Sequence, residues 1–283
     1  MRKKFVLPVL LAVFAAMLTF GGCRSEYEKI RTAGDPETIR KKAFEYYDEK
    51  DYVKAQGLLE LALPSFKGKK EAEEVYYRYT YTYYHTRQYL LASYYFNSFV
   101  QTFGGSPYKE EMAFMSAYSN YKMSPTFRLD QTHTLKAIED FQLFTNTYPE
   151  SERVAECNKL IDELRSKLER KAYDEGELYF DLRNYQSSVQ SFENLLRDFP
   201  ETNNAEEVRF MILKATFLLA ENSVIEKQSE RYTEALNRAE EFVARYSKSA
   251  NLKEAALIKE TSIKKLKQLE NVGYKSKSTR LGT

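Results

Sequence analysis

The sequence predicts an all-α protein: a right-handed solenoid of about five helical hairpins closed by a C-terminal capping helix. Three observations predict it. A polar residue and a tyrosine recur, with a small residue three positions after the tyrosine: Asp51-Tyr52 before Ala55, Gln88-Tyr89 before Ala92, Asn184-Tyr185 before Ser188, Arg231-Tyr232 before Ala235. An aromatic residue and a breaker close the segments at Phe103-Gly104, Tyr148-Pro149, Phe199-Pro200 and Tyr246-Ser247. The 283 residues include only 10 Gly and 7 Pro, no Trp and 23 Tyr, a composition that points away from β-sandwiches and toward aromatic-rich helices. Recurrence of this kind is the mark of stacked helix–turn–helix units.

Residues 1–22 read as an export leader. Arg2, Lys3 and Lys4 precede an apolar run from Phe5 to Phe20, and Gly21-Gly22 supply small residues before Cys23. The run is 16 residues long, short of the ~20 a spanning helix needs. Phe20-Gly21-Gly22-Cys23 resembles a lipobox, in which the cysteine sulfur is acylated and the chain is cut before it; Phe20 stands where Leu is usual. Cys23 is therefore the expected lipidation site, and residues 23–36 a lipid-anchored linker. Acyl chains hold a protein to a membrane at ~0.8 kcal/mol per buried methylene.

The hairpins follow. Ala43, Tyr46, Tyr52, Ala55, Leu59 and Ala62 fall at the small and aromatic positions of the tetratricopeptide repeat, which the sequence resembles here. Thr80, Tyr83, Tyr89, Ala92, Phe96 and Phe99 repeat the pattern, as do Gly176, Tyr179, Tyr185, Ser188, Phe192, Leu195 and Pro200. Residues 37–104 hold repeats one and two, and residues 105–269 hold repeats three to five with the capping helix. In repeats one, two and four the two small residues lie 12 apart (43 to 55, 80 to 92, 176 to 188). In repeats three and five they lie 20 apart (117 to 137, 215 to 235). An eight-residue insertion is expected in each of those turns, around 123–132 and 221–227. Inserted loops on solenoids often carry binding, while extra loop length by itself costs little; both readings stand. Val154, Cys157, Ile161, Leu164 and Leu168 keep helical spacing into Gly176, which predicts one long helix from about 152 to 182. Leu252, Ala256, Ile263 and Leu266 predict the cap, with lysines on its other face. Residues 270–283 lack an apolar period and are expected to be a disordered tail.

The composition excludes several functions. The 43 basic residues become 40 once Arg2, Lys3 and Lys4 leave with the leader, against 41 acidic ones. A near-neutral chain with interspersed charges offers no nucleic-acid footprint. With Cys23 acylated, Cys157 has no disulfide partner and reads as a small buried residue. His85 and His133 are the only histidines, without metal-ligand spacing, and no phosphate loop or nucleophile elbow occurs. Neither catalysis nor a cofactor or metal is expected. The unusual feature is the tyrosine run from Tyr76 to Tyr95. The repeat pattern absorbs Tyr76, Tyr79, Tyr83 and Tyr89. Tyr77, Tyr81 and Tyr84 remain, either lining a concave binding groove, where tyrosine suits recognition, or packing on the next repeat.

The chain is similar to the BamD family of outer-membrane assembly lipoproteins, most nearly its Bacteroidetes-type members. The similarity rests on Glu26-Tyr27-Glu28-Lys29, Arg128-Leu129-Asp130-Gln131-Thr132, Phe141-Gln142-Leu143-Phe144, Pro149-Glu150-Ser151-Glu152-Arg153-Val154 and Ala220-Glu221-Asn222-Ser223. That resemblance implies a non-catalytic scaffold on the periplasmic face of the outer membrane, held by its lipid anchor. Its implied partners are a BamA-like POTRA-containing barrel protein, docked by repeats three to five, and unfolded barrel precursors, received by repeats one and two. Tyr77, Tyr81 and Tyr84 are then candidates for the client groove, and Arg128, Asp130 and Asn222 for partner-binding loops. Arg24 and Ser25, with no Asp after Cys23, fit sorting to the outer membrane's inner leaflet. A repeat scaffold for cell-wall or nutrient-uptake complexes is the rival reading.

Overall fold

The computed structural model describes residues 25–280; the leader and Cys23 lie outside them. Twelve helices occur among the described residues: α1 Glu26–Ala33, α2 Pro36–Asp48, α3 Tyr52–Phe66, α4 Ala72–His85, α5 Tyr89–Thr102, α6 Lys109–Met123, α7 Thr132–Thr147, α8 Val154–Asp181, α9 Tyr185–Asp198, α10 Ala205–Glu221, α11 Ile225–Arg245 and α12 Leu252–Arg280. No strand is present among those residues. They form two compact bodies, one of residues up to 124 with 132–161, the other of 125–131 with 162 onward.

The recurring tyrosine has a local cause. Lys50, Arg87 and Arg183 sit at φ 64°, 61° and 59°, the left-handed conformation that ends a helix in a Schellman turn. The next amide in each case bonds back five residues: Asp51 N to Tyr46 O at 2.8 Å, Gln88 N to Tyr83 O at 2.9 Å, Asn184 N to Tyr179 O at 2.9 Å. The tyrosine that follows is the first residue of the next helix. Repeats three and five, whose small residues lie 20 apart, replace this turn: Ser124 and Asn222 cap their first helices at φ −61° and −92°.

The small positions are where the paired helices meet. Ala43, Ala55, Thr80, Ala92, Ala117, Ala137, Ser188, Ala215 and Ala235 are all fully buried. Ser188 Oγ donates to Gly176 O at 2.9 Å. Between them run buried aromatic and aliphatic side chains, among them Phe96, Phe99, Phe141, Phe192 and Tyr232, whose removal from water supplies most of the stabilisation.

A second device joins successive repeats. Ser106, Ser151, Thr202 and Ser249 each lie three residues after a closing aromatic, and each amide donates to that aromatic's carbonyl at 2.9–3.1 Å. Each hydroxyl then accepts the amide two residues on, at 3.0–3.1 Å. Three of these hydroxyls donate to a carboxylate on a helix one repeat earlier: Ser106 to Glu73 at 2.6 Å and Ser151 to Glu110 at 2.5 Å, both at helix starts, and Thr202 to Glu169, midway along α8, at 2.5 Å. At the fourth turn Asn251 Nδ2 reaches Glu207 instead, at 3.1 Å.

The structure departs from the sequence expectations in four places. Residues 26–33 of the expected linker are helical, because Ser25 caps Glu28 N and Tyr27 lies against Tyr46, ring centroids 6.1 Å apart. Repeat five has no long inserted loop. Its turn is Asn222–Val224, and the extra residues extend α11 back to Ile225, since Glu226, Lys227, Gln228 and Glu230 are helix formers without a breaker. The expected tail is helical to Arg280. Repeat three, expected with repeats four and five, belongs to the first body. There Asn120 Nδ2 donates to Ser93 Oγ at 2.9 Å and to Asp140 Oδ2 at 2.6 Å, tying α5, α6 and α7 through a buried amide. The long helix, expected over about 152–182, spans Val154–Asp181.

Candidate functional site

The tyrosines of α4 divide between two sides. Tyr79 and Tyr83 enter the hairpin core, their hydroxyls 2.7 Å apart, and Tyr95 of α5 stacks on Tyr83 at 4.7 Å. Tyr76 donates to Ser98 Oγ at 2.9 Å. Tyr77, Tyr81 and Tyr84 face the next repeat and are half-buried. Tyr77 and Tyr81 both donate to Glu111 Oε1 of α6, at 3.3 and 2.5 Å. Tyr84 lies beside Phe96 and Tyr118, at 6.4 and 6.5 Å. Burial, then the hydrogen bond to the Glu111 carboxylate, raises the Tyr81 pKa far above the ordinary phenol value. Packing on the neighbouring repeat thus accounts for much of each ring.

The exposed edges of these rings join a longer aromatic file. Tyr52 stacks on His85 at 4.2 Å, His85 on Tyr81 at 5.8 Å, Tyr81 meets Tyr77 at 5.0 Å, and Tyr77 meets Tyr108 at 4.7 Å. Burial, followed by the nearby Lys50 charge, lowers the His85 pKa. Beside the file opens a cleft of about 550 Å³ lined by Tyr47, Asp48, Lys70, Glu73, Glu74, Tyr77, Arg78 and Tyr108. Arg78 is its fixed centre. Its guanidinium donates to Asp48 Oδ1 at 2.6 Å and lies over Phe44 at 4.3 Å and Tyr47 at 5.1 Å. Aromatic walls around held charges can take the side chains of an extended peptide while its backbone bonds to the polar rim. The tyrosine run points to Tyr77 and Tyr81 but not to Tyr47, Arg78, His85, Tyr108 or Glu111. The available signal was distance along the chain: Glu111 follows Tyr77 by 34 residues, about one repeat.

The other candidates lie in the second body. The 125–131 loop is built around buried Gln131, whose Nε2 donates to Thr126 O and Leu129 O, both at 2.9 Å. Lys171 Nζ also donates to Leu129 O at 3.0 Å. This ordering presents Arg128, Leu129 and Asp130 outward; all three are exposed. Asn222 acts as a cap, its amide and Nδ2 both donating to Leu218 O, at 3.0 and 2.8 Å. The tyrosines are therefore brought together, Arg128 and Asp130 share one loop, and Asn222 stands at a different turn. A second cleft, of about 730 Å³, carries Arg209, Arg238 and Arg245 with Glu193 and Glu241. Arg238 is held by Glu193 and Glu234 at 2.6 and 2.7 Å. Cys157 is fully buried, and burial pushes its thiol up to about 11. No group of three or more His, Cys, Asp or Glu that could hold a metal occurs among the described residues, and no helix there is long and apolar enough to cross a membrane.

The profile of the family described as YfiO, outer membrane lipoprotein, matches residues 32–230 and again 177–280. The chain belongs to the YfiO family of outer membrane lipoproteins. The first match takes in the tyrosine cleft, the 125–131 loop and Asn222. A protein of Aquifex aeolicus strain VF5 named putative outer membrane protein assembly factor BamD is 24% identical over 235 residues, covering 82% of this YfiO-family chain and 76% of the relative. Among solved structures, a TPR-repeat protein of Bacteroides fragilis NCTC 9343 is similar at 12% identity and a TM-score of 0.36, covering 81% of this chain and 97% of that one. The TPR2AB-domain:pHSP90 complex of yeast Sti1 is similar at 12% identity and a TM-score of 0.37, with coverages of 80% and 98%.

Proposed function

We propose that this chain is a lipid-anchored, non-catalytic scaffold of the machinery that assembles β-barrels into the outer membrane. Membership of an outer membrane lipoprotein family carries the reading, and the Aquifex relative's name supports assembly as the task. Cys23 is the acylated residue, holding the protein to the periplasmic face. Repeats one and two receive unfolded barrel precursors, and repeats three to five dock on a POTRA-containing barrel protein.

The cleft beside Tyr77 and Tyr108 supports the receiving role. An unfolded barrel strand is an extended peptide with alternating aromatic and polar side chains, and this cleft offers both kinds of wall. The 125–131 loop, fixed by Gln131 and Lys171, supports Arg128 and Asp130 as docking residues. For Asn222 the hydrogen bonds support capping, and its docking role is secondary. Cys23→Ala tests the anchor: most of the protein leaves the membrane fraction, and retention equal to that of the acylated chain through a high-salt wash contradicts it. Tyr77→Ala with Tyr108→Ala tests the cleft. Binding of a barrel-strand peptide weakens at least tenfold with helicity kept, as a pair of lost aromatic anchors requires; unchanged binding contradicts the assignment.

A further inference from the structure

The second helices of repeats one, two and three carry an apolar outer stripe that repeats four and five do not. Counting from the buried small residue, the position two before it is Val53, Leu90 or Leu135, and the position six after it is Leu61 or Leu143; Ser98 of repeat two is the polar exception. Tyr94 joins them. These side chains are 45–70% exposed. The matching positions of repeats four and five are Gln186 and Thr233, and Asn194 and Glu241. The difference is therefore specific to the first body rather than a property of the repeat. Helix α5, Tyr89–Thr102, contains no charged residue at all although Leu90, Leu91 and Tyr94 face solvent. A face without charge can leave water without stranding one, and contiguous exposed apolar surface marks an interaction site.

The start of the described chain indicates what covers this face. Helix α1 lies on α3: a Cβ on Gly57 would stand 2.5 Å from the Tyr27 hydroxyl. Gly57 is four residues from both Val53 and Leu61, on the same side of α3. Ser25, the cap of α1, is two residues after Cys23, a reach of at most about 7 Å. An acyl chain on Cys23 thus enters the bilayer beside the stripe.

We propose that the outer face of α3 and α5 rests on the lipid surface to which Cys23 tethers the chain, with Val53, Leu90 and Tyr94 seated at the headgroup–acyl boundary. This rests on the Cys23 anchor proposed above. Aliphatic side chains with an amphipathic tyrosine suit that boundary. Contact at this face would fix how the first body is turned toward the membrane, which a flexible tether alone does not do.

The chain has no tryptophan, so single Leu90→Trp, Tyr94→Trp and Gln186→Trp variants each report one position. The acylated full-length mature protein is added to phosphatidylcholine vesicles with and without brominated acyl chains. The indoles of Leu90→Trp and Tyr94→Trp shift to the blue and are quenched by bromine, while that of Gln186→Trp remains open to aqueous acrylamide. In the Cys23→Ala chain, where the face alone holds the vesicle, Leu90→Asn with Tyr94→Asn lowers partition about tenfold. A protein that partitions while all three indoles stay equally wet overturns the face and leaves the anchor intact. A blue shift that needs only higher protein concentration, without vesicles, overturns it in favour of a second copy. If Cys23→Ala partitions as well as the acylated chain while bromine still quenches at Leu90→Trp, the anchor fails and the face stands.

Discussion

Gly176 of α8 lies directly against the ring of Phe192 in α9: a Cβ added to the glycine would stand 2.7 Å from Phe192 Cε1. The ring is fully buried and cannot withdraw. Gly176→Val is expected to destabilise the second body by about 1–3 kcal/mol through overpacking, read by urea unfolding. Phe192→Leu in the same chain recovers part of that loss, because it vacates the contested space.

The left-handed turns offer a gain. Arg87 holds φ 61° with an exposed side chain, a conformation that costs a non-glycine residue about 1–2 kcal/mol. Glycine removes this cost but adds unfolded-state entropy. Arg87→Gly is expected to raise unfolding free energy by about 0.5–1 kcal/mol. A loss would show that the Arg87 side chain holds something beyond its own turn.

The hydroxyl–carboxylate clasp between repeats is testable by a double-mutant cycle. Ser106→Ala is expected to cost about 1 kcal/mol, and Glu73→Ala in that background to add little, since the two share one hydrogen bond. Additive losses would mean the bond contributes nothing of its own.

His85 gives the first body a pH dependence. Its folded pKa lies below the ordinary 6.5, so the unfolded chain binds the proton more readily than the native one. The stability tied to neutral His85 is fully present above about 6.5 and is lost as pH falls through the lowered folded value. His85→Phe, which keeps the stack on Tyr52, is expected to flatten this part of the pH–stability curve. An unchanged slope would assign the acid sensitivity elsewhere.

These tests follow what the residues revealed and concealed. The hairpin pairing was legible because Ala43 with Ala55, or Gly176 with Ser188, lie 12 apart and mark close approach directly. The clasp was not, because Ser106 and Glu73 are 33 residues apart and each alone is an ordinary surface residue. The tyrosine run announced a special surface, but the 100° helical step cannot say that Tyr81 reaches Glu111 of the next repeat. Repeat five misled because counting finds extra residues without showing whether they coil or form a loop; Glu226 to Arg231 continue the helix. The linker misled because the Tyr27–Tyr46 contact that accompanies α1 joins residues in different elements.

The assembly role is tested most directly by crosslinking in native membranes followed by capture of the intact, acylated chain. A covalent product with a POTRA-containing barrel protein is expected, lost when Arg128 and Asp130 are both replaced by Ala while the protein stays folded. Recovery of only cell-wall or nutrient-uptake proteins, with no POTRA-containing partner, would contradict it.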